Sequence, residues 1–187
     1  MEIVRAAIPD LLIVRPNKFG DERGFFSETF KMSALEQFGV TSTWVQDNHS
    51  FSAAPGVIRG LHFQVGEYAQ AKLIRVTRGA LLDVAVDIRK GSPTYGRHVA
   101  VELSAENWTQ LYIPIGFAHG FCTLTRDTEA LYKVTAYWSQ ASEGGVLWND
   151  PDLGIAWPIK AEDATINARD ANWPRLKDFD SPFAYAG

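Results

Sequence analysis

Residues 71–103, AKLIRVTRGALLDVAVDIRKGSPTYGRHVAVEL, alternate apolar and polar side chains in short runs. In the middle of the stretch the apolar side chains at 82, 84, 86 and 88 lie two residues apart, and glycines at 79, 91 and 96 separate the runs. A period of two with glycine between runs predicts β-strands joined by turns. No helical pattern separates these strands, so we expect antiparallel pairing in a sandwich or barrel.

Helix is predicted in only two places. The stretch 33–40, SALEQFGV, has Ser33 as a candidate N-cap, Glu36 three residues later and Gly39 as a C-terminal stop. The tail after Pro158 carries a weaker helical pattern, with Asp163 or Thr165 as its candidate cap. We therefore expect an all-β protein with short peripheral helices.

Length and composition bound the architecture. The chain has 187 residues, of which 46% are hydrophobic and 12% aromatic. These values predict one domain, 1–187. The part after Pro158, residues 159–187, is expected to form a C-terminal tail. The sequence begins without a basic leader or an apolar signal core, and no apolar run is long enough to cross a bilayer, so we expect a cytoplasmic protein. The single cysteine, Cys122, excludes an internal disulfide and has the apolar neighbours of a core residue.

The net charge of −4 argues against nucleic acid or an anionic membrane as a partner, because both need a basic face on the protein. A small anion needs only a few cationic side chains gathered locally. Arg23, Arg59, Lys72 and Arg75 are candidates for that role.

Two histidines lie in apolar strand sequence: His62 in RGLHFQ, 59–64, and His119 in IPIGFAHGF, 113–121. A histidine on an apolar strand is more often a satisfied core residue than a catalyst. Because the ordinary pKa of histidine lies near neutrality, however, two of them in such sequence suggest a pocket that handles protons. His49 and His98 lack comparable neighbours and are expected to be structural or surface groups.

Strand alternation predicts which side chains share a face. On the His62 strand, one face should carry Gly60, His62 and Gln64. The opposite face should carry Arg59 and the other odd-numbered residues. In EALYKVTAYW, 129–138, the even-numbered residues should share a face, including Tyr132 and Trp138.

Lys72 falls on the same predicted face as Ile74 and Val76. An ammonium group on an apolar wall costs free energy unless it meets an anion, which again suggests a site inside a barrel. The alternative is that Lys72, at the beginning of its strand, extends its amine to solvent.

The chain closely resembles the dTDP-4-dehydrorhamnose 3,5-epimerase family, which consists of jelly-roll enzymes of the cupin superfamily. The resemblance extends from the first strand to the tail and includes FGDERGFFSETF at 19–30, VQDNHSFS at 45–52, GVIRGLHFQ at 56–64, residues 69–96, LSAENWTQLYIPIGFAHGF at 103–121, LYKVTAYW at 131–138, WNDPDLGIAWP at 148–158 and ARDAN at 168–172. It implies a cupin-type jelly-roll barrel of antiparallel strands.

The resemblance implies epimerisation of a dTDP-4-keto-6-deoxy-hexose at C3 and C5, in dTDP-L-rhamnose biosynthesis, with no cofactor and no metal. His62 resembles the family's base and Asp170 the carboxylate that orients it. Lys72 matches the group that stabilises the enolate, and Tyr132 the proton donor on the opposite side of the sugar.

The resemblance also implies substrate-binding roles and a homodimer. In the family, the counterparts of Arg23 and Glu28 reach the nucleotide partly across the dimer interface. The implied binding residues are Arg23, Glu28, Phe19, Phe26, Gln46, Asn48, Arg59, His119, Trp138, Glu143 and Arg169. Simpler roles stay open: Arg23 and Glu28 could form a surface ion pair, Gln46 and Asn48 could satisfy turn backbone, and Asp83 and Asp87 are more simply structural.

Three departures from the family pattern leave the regiochemistry open. Trp138 stands where most relatives have tyrosine, Arg169 stands where they have lysine, and 65–67 replaces a more apolar link. An epimerase acting at C3 or C5 alone therefore remains an alternative, as does a sugar-binding cupin without catalysis. A metal-dependent cupin oxygenase is a third alternative, but the His-x-His pair typical of metal cupins is absent, since Phe63 and Gln64 follow His62.

Overall fold

The computed structural model describes residues 1–186, which form thirteen β-strands, one short α-helix and six 3-10 turns. The strands are β1 Glu2–Arg5, β2 Leu12–Arg15, β3 Phe19–Asp21, β4 Gly24–Phe26, β5 Gln46–Ser52, β6 Ile58–Gln64, β7 Lys72–Arg78, β8 Ala80–Asp87, β9 His98–Ser104, β10 Gln110–Ile113, β11 Phe117–Thr123, β12 Thr128–Val134 and β13 Glu143–Gly145. The helix α1 is Met32–Leu35, and the 3-10 turns are Glu36–Phe38, Gly66–Tyr68, Gln140–Ser142, Ala161–Asp163, Asp170–Asn172 and Leu176–Asp178.

Two antiparallel sheets face each other and enclose the main core. One has the strand order β1-β2-β10-β7-β12-β5 and the other β13-β6-β11-β8-β9, while β3 and β4 form a separate hairpin. Ile74 and Leu111 from the first sheet pack with Leu81, Ala85 and Phe121 from the second. This arrangement confirms the predicted all-β jelly-roll barrel.

The tail covers the outer face of the five-stranded sheet instead of forming a helix. Ile58 and Val86 of that sheet pack against tail side chains that include Ile159, Leu176 and Phe179. The two predicted caps are wrong, because Asp163 ends a 3-10 turn and Thr165 forms a β-bridge with Val57. Burial of widely spaced apolar side chains on a flat sheet favours an extended tail with single turns over a continuous helix.

The predicted helix at 33–40 is shorter than expected. It begins at Met32, so Ser33 lies inside it, and the N-cap position belongs to Lys31, which makes no capping hydrogen bond. Only Leu35 is buried, and one buried side chain is too little to stabilise a longer helix. The predicted stop is confirmed: Gly39 adopts a φ of 86°, in the left-handed region that glycine favours.

A β-bulge between β6 and β11 changes which side chains share a face. His119 pairs with His62 but Phe121 pairs with Arg59, so that Gly60 and Leu61 together oppose a single residue. The extra residue brings Arg59 to the same side as His62. The prediction that these two side chains lie on opposite faces is therefore wrong, because simple alternation does not account for a bulge.

The two strands approach closely at the bulge because two glycines meet there. A Cβ on Gly60 would lie 2.5 Å from the Cα of Gly120 and 2.7 Å from the carbonyl oxygen of His119. A Cβ on Gly120 would lie 2.6 Å from the carbonyl oxygen of Arg59. Gly60 also adopts a φ of 127°. The spacing of His62 and His119 therefore depends on glycine at both positions.

Candidate active site

A cavity of about 440 Å³ opens between the two sheets. It brings together most of the residues singled out in the sequence, from the six-stranded sheet, the five-stranded sheet and the tail. Those residues are Gln46, Asn48, Arg59, His62, Lys72, His119, Tyr132, Trp138, Glu143, Arg169 and Asp170. The cavity is also lined by Ser50, Phe63, Gln64, Gln70, Phe121 and Asn167, for which no role was predicted.

His62 and Asp170 form a hydrogen-bonded pair at one wall of the cavity. Nε2 of His62 lies 2.8 Å from Oδ1 of Asp170, and the backbone N–H of Gly60 donates to Oδ2 at 3.1 Å. Burial alone would raise the pKa of Asp170, but the hydrogen bonds from His62 and Gly60 outweigh it and hold that pKa below its ordinary value. A charged carboxylate can only accept, so we assign the proton to Nε2 of His62, which leaves Nδ1 with a free lone pair.

Asn167 and Arg169 fix the position of Asp170 in the tail. The backbone N–H of Asp170 donates to Oδ1 of Asn167 at 2.8 Å, and Nε of Arg169 lies 3.4 Å from the carboxylate. Arg169 also forms an ion pair with Glu143, at 2.5 Å. The two cavity residues Arg169 and Glu143 thus neutralise each other and join the tail to β13.

Lys72 begins β7 and lines the cavity. Burial lowers the pKa of its ammonium group to about 8, although Asp83 and Glu143 partly oppose that shift. No hydrogen bond or ion pair within residues 1–186 involves its Nζ. The burial of the amine disagrees with the alternative in which Lys72 extends to bulk solvent. The amine is instead available to an anionic or polarised oxygen in the cavity.

Tyr132 lies on the sheet opposite to that of His62. On β12 it stands between Asn48 of β5 and Ile74 of β7. Burial raises the pKa of the phenol, with smaller and opposite effects from Arg59 and Glu143. Tyr132 therefore keeps its proton at neutral pH and presents it from the opposite side of the cavity.

His119 belongs to a second buried pair that the sequence did not predict. Its Nε2 lies 2.7 Å from Oδ1 of Asp83, and both side chains are almost fully buried. Burial lowers the pKa of His119, and the neighbouring Asp83 carboxylate partly opposes this. Oδ2 of Asp83 is buried without a hydrogen-bond partner in the described chain. The pair depends on the alignment of β8 with β11, which strand alternation within one segment cannot reveal.

Three glutamines hold the segment 136–139, in which Trp138 lines the cavity. Nε2 of Gln70 donates to the carbonyl of Ala136 at 2.7 Å. Oε1 of Gln46 accepts from the backbone N–H of Trp138 at 3.2 Å, and Oε1 of Gln64 accepts from that of Ser139 at 2.9 Å. Gln64 follows His62 by two residues on the same face, and that spacing is the sequence pattern that could have identified it.

The strand that carries Tyr132 ends at Val134, before Trp138. Strand alternation therefore does not place Trp138, although the residue does line the cavity. The side chain of Trp138 is half-exposed at the rim. Its position depends on the hydrogen bond from its backbone to Gln46.

Four predicted binding residues do not reach the cavity of their own chain: Phe19, Arg23, Phe26 and Glu28. Arg23 pairs with Asp21 in the hairpin, and Glu28 lies 3.8 Å from Lys31, so the alternative of an Arg23–Glu28 ion pair is not formed. As whole residues, Phe19 and Phe26 are 58% and 67% exposed. The hairpin is thus free to contact another molecule.

Residues 1–186 were also compared with the requirements of a metal site and of a membrane-spanning helix. No group of three or more histidine, cysteine, aspartate or glutamate side chains is arranged to hold a metal ion. No helix in this part of the chain is both long and apolar enough to span a membrane.

Comparisons with known proteins agree on one family. A family model described as dTDP-4-dehydrorhamnose 3,5-epimerase matches residues 5–178. The chain is 54% identical to the dTDP-4-dehydrorhamnose 3,5-epimerase of Salmonella typhimurium over 177 residues, which cover 94% of this chain and 96% of that protein.

The solved structures that are similar over nearly the whole chain include the following two. One is the dTDP-6-deoxy-D-glucose-3,5-epimerase of Legionella pneumophila in complex with dTDP-4-keto-L-rhamnose, with a TM-score of 0.94, 43% identity, and coverage of 100% of this chain and 99% of that chain. The other is the dTDP-4-dehydrorhamnose 3,5-epimerase of Bacillus anthracis with TDP and PPi bound, with a TM-score of 0.89, 46% identity, and coverage of 93% and 98%.

Proposed function

The chain belongs to the dTDP-4-dehydrorhamnose 3,5-epimerase family, and we propose that it inverts C3 and C5 of a dTDP-4-keto-6-deoxy-hexose in dTDP-L-rhamnose biosynthesis. One observation carries the proposal: the His62–Asp170 pair, Tyr132 and Lys72 all line one cavity, with the imidazole and the phenol on opposite sheets. Such an enzyme is an isomerase.

The ketone at C4 makes this chemistry possible. Removal of a proton from C3 or C5 leaves a carbanion that delocalises onto the ketone oxygen as an enolate. Epimerisation then needs a base to remove the proton, a group to stabilise the enolate oxygen, and an acid to return a proton to the opposite face.

His62 acts as the base through its free Nδ1. Because Asp170 is charged and accepts from Nε2, it holds the imidazole in one tautomer and stabilises the imidazolium that forms. A well-placed general base of this kind contributes about 10² to 10⁴ in rate.

Lys72 stabilises the enolate oxygen. Its ammonium group has no partner in the described chain, so it can donate to the oxygen as negative charge develops there. One such preorganised donor supplies about 3 to 4 kcal/mol of transition-state stabilisation. This role explains why a lysine shares its strand face with the buried residues Ile74 and Val76.

Tyr132 returns the proton to the opposite face. A single group on one face would restore the original configuration, so inversion requires a donor on the other side of the sugar ring. Tyr132 meets that requirement because it lies on the facing sheet and its raised pKa keeps the phenol protonated.

The remaining cavity residues bind the nucleotide sugar. Arg59 supplies positive charge for the diphosphate, and hydrogen-bonding groups for the nucleotide sugar come from Gln46, Asn48, His119 and Arg169. Glu143 orients Arg169, and Trp138 covers the rim. The relatives with higher identity, 54% and 43%, are named 3,5-epimerases, which supports action at both carbons. A neighbour named as a 3'-monoepimerase is less similar, at 34% identity.

We further propose a cytoplasmic homodimer in which the β3–β4 hairpin of one protomer completes the site of its partner. The exposed rings of Phe19 and Phe26 support this, because apolar side chains on a free hairpin favour burial against a second surface. Arg23 and Glu28 would then reach the nucleotide in the partner's cavity.

The test is to incubate the protein with dTDP-4-keto-6-deoxyglucose in deuterated water and to follow the sugar by NMR. We expect deuterium at C3 and C5 and the appearance of dTDP-4-keto-L-rhamnose. Incorporation at one carbon alone would support the single-centre alternative. Binding without incorporation at either carbon would support a passive sugar-binding module and contradict the proposal.

A further inference from the structure

Trp173 lies beside the His62–Asp170 pair but does not line the cavity. The centroids of its indole and of the His62 imidazole are 6.4 Å apart, with the ring planes at 76°. Trp173 directly follows the 3-10 turn Asp170–Asn172. One short segment of the tail therefore provides both the carboxylate and an aromatic ring to the same imidazole.

Gly145 makes room for the indole. On β13 it pairs with His62, and a Cβ at this position would lie 2.4 to 2.5 Å from three indole atoms, Cε2, Cδ2 and Nε1. Any side chain at 145 would therefore displace Trp173. The indole Nε1 is buried without a hydrogen-bond partner in the described chain, which costs free energy. Packing contacts, and not a hydrogen bond from Nε1, thus hold the indole in place.

The tail is joined to the barrel on both sides of Trp173. Before it, Asp170 accepts from the backbone N–H of Gly60 at 3.1 Å. After it, the carbonyl of Pro174 accepts from the backbone N–H of Leu147 at 2.8 Å. The first contact is made by the Asp170 carboxylate and the second by the backbone of Pro174. Together they hold the segment at both ends, so the indole has little freedom to move away from His62.

We propose that Trp173 is a positioning residue for the epimerase reaction. Its indole holds the His62 imidazole at the angle at which Nε2 meets Asp170 and Nδ1 faces the sugar, and it excludes water from the pair. The inference rests on the proposed function, in which His62 is the base. Loss of this support reduces the chemical step more than substrate binding, because a small displacement of a reacting group lowers the rate sharply.

The test compares Trp173→Leu and Trp173→Phe with the control Trp157→Phe. Trp157 packs against Trp148 and donates to its carbonyl at 2.8 Å in the same tail-covered core, and neither residue lines the cavity. For each protein, kcat, KM, the Kd for dTDP and the melting temperature are measured. We expect Trp173→Leu to lower kcat about tenfold while KM and Kd stay within about twofold. Trp173→Phe should recover most of the lost rate, and the control should lower only the melting temperature.

The outcomes separate this inference from the proposed function. Wild-type kcat in Trp173→Leu would overturn the positioning role and leave the proposed function intact. An equal loss of kcat in Trp157→Phe at the same melting temperature would also overturn it, because the effect would then follow from stability alone. A wild-type protein that does not convert the 4-keto sugar would overturn the proposed function and the inference with it. Gly145→Ala, which displaces the indole without altering it, should reproduce the kcat loss of Trp173→Leu.

Discussion

Burial brings the pKa of Lys72 to about 8, close to physiological pH. Its pKa of about 8 means that the amine is protonated, and able to stabilise an enolate oxygen, below pH 8 and mostly neutral above it. We therefore expect kcat/KM to fall as the pH rises through 8. Well above pH 8 the decrease should approach about tenfold for each pH unit. Tyr132 cannot account for this fall, because burial raises its pKa above the ordinary value of 10.

Two variants check this assignment. Lys72→Met should lose roughly 10² to 10³ in kcat and show no fall near pH 8. Lys72→Arg should move the fall to higher pH, because guanidinium keeps its charge, although its different shape should lower the rate. A fall near pH 8 that persists in Lys72→Met would assign the titration to another group.

Substitution of His62 and substitution of Tyr132 should impair the reaction in different ways. Tyr132→Phe removes the proton donor but leaves the base, so exchange of C3 and C5 protons with solvent deuterium should continue while epimerisation falls by about 10². His62→Ala removes the base and should abolish both. The ratio of deuterium incorporation to inverted product, followed by NMR, distinguishes the two defects. An equal loss of exchange and inversion in Tyr132→Phe would contradict its role as the donor.

At the scale of elements, the approach of β6 to β11 depends on glycine. In Gly120→Ala the new methyl group would lie 2.6 Å from the Arg59 carbonyl oxygen and 3.0 Å from Leu61 Cδ2, so the strands must separate. We expect a loss of about 1 to 3 kcal/mol in the free energy of unfolding, together with lower activity as His119 and His62 move apart. Urea denaturation measures the first effect and steady-state kinetics the second.

Gly20→Ala is the matched control for stability. Its Cβ would meet only the carbonyl oxygen of Gly24, at an ordinary distance of 3.6 Å. The free energy of unfolding should therefore change by less than about 0.5 kcal/mol. If Gly120→Ala were as stable as this control, the close approach of the strands would not require glycine.

The sequence predicted the strands well and their mutual alignment poorly. Period-two alternation identified the β8 and β12 segments, because it reflects a property of each strand alone. It misplaced Arg59, since the extra residue of a bulge is visible only once β6 is paired with β11. It also missed the hydrogen bond between His119 and Asp83, two residues that are 36 positions apart on different strands.

The tail shows the same limit on a larger scale. Resemblance to the family identified Asp170, but the helical pattern predicted for the tail did not form, because the outer face of the barrel stabilises an extended chain. No motif or pattern in the sequence identified Trp173. Its contact with His62 depends on the absence of a side chain at Gly145, which only the folded structure reveals.

At the scale of the whole molecule, each cavity lacks the hairpin residues that the family pattern assigns to it. Arg23 is exposed and pairs only with its neighbour Asp21, and Phe19 and Phe26 are exposed on the hairpin. In a two-fold dimer the same hairpin on each protomer can reach the other's cavity. The two active sites would then each be built from both chains.

Mixing two inactive variants tests this shared architecture. His62→Ala removes the base from its own cavity, and Arg23→Glu should remove the nucleotide contact from the cavity of its partner. In a mixed dimer, one cavity would then carry both defects and the other neither. After denaturation and refolding of an equal mixture, half of the dimers are mixed, so about one quarter of the wild-type activity should return.

If Arg23 acted on its own cavity, each site of the mixed dimer would keep one defect and no activity would return. A control mixture of His62→Ala with Lys72→Met, two residues of the same cavity, should stay inactive, because every site then lacks one catalytic group.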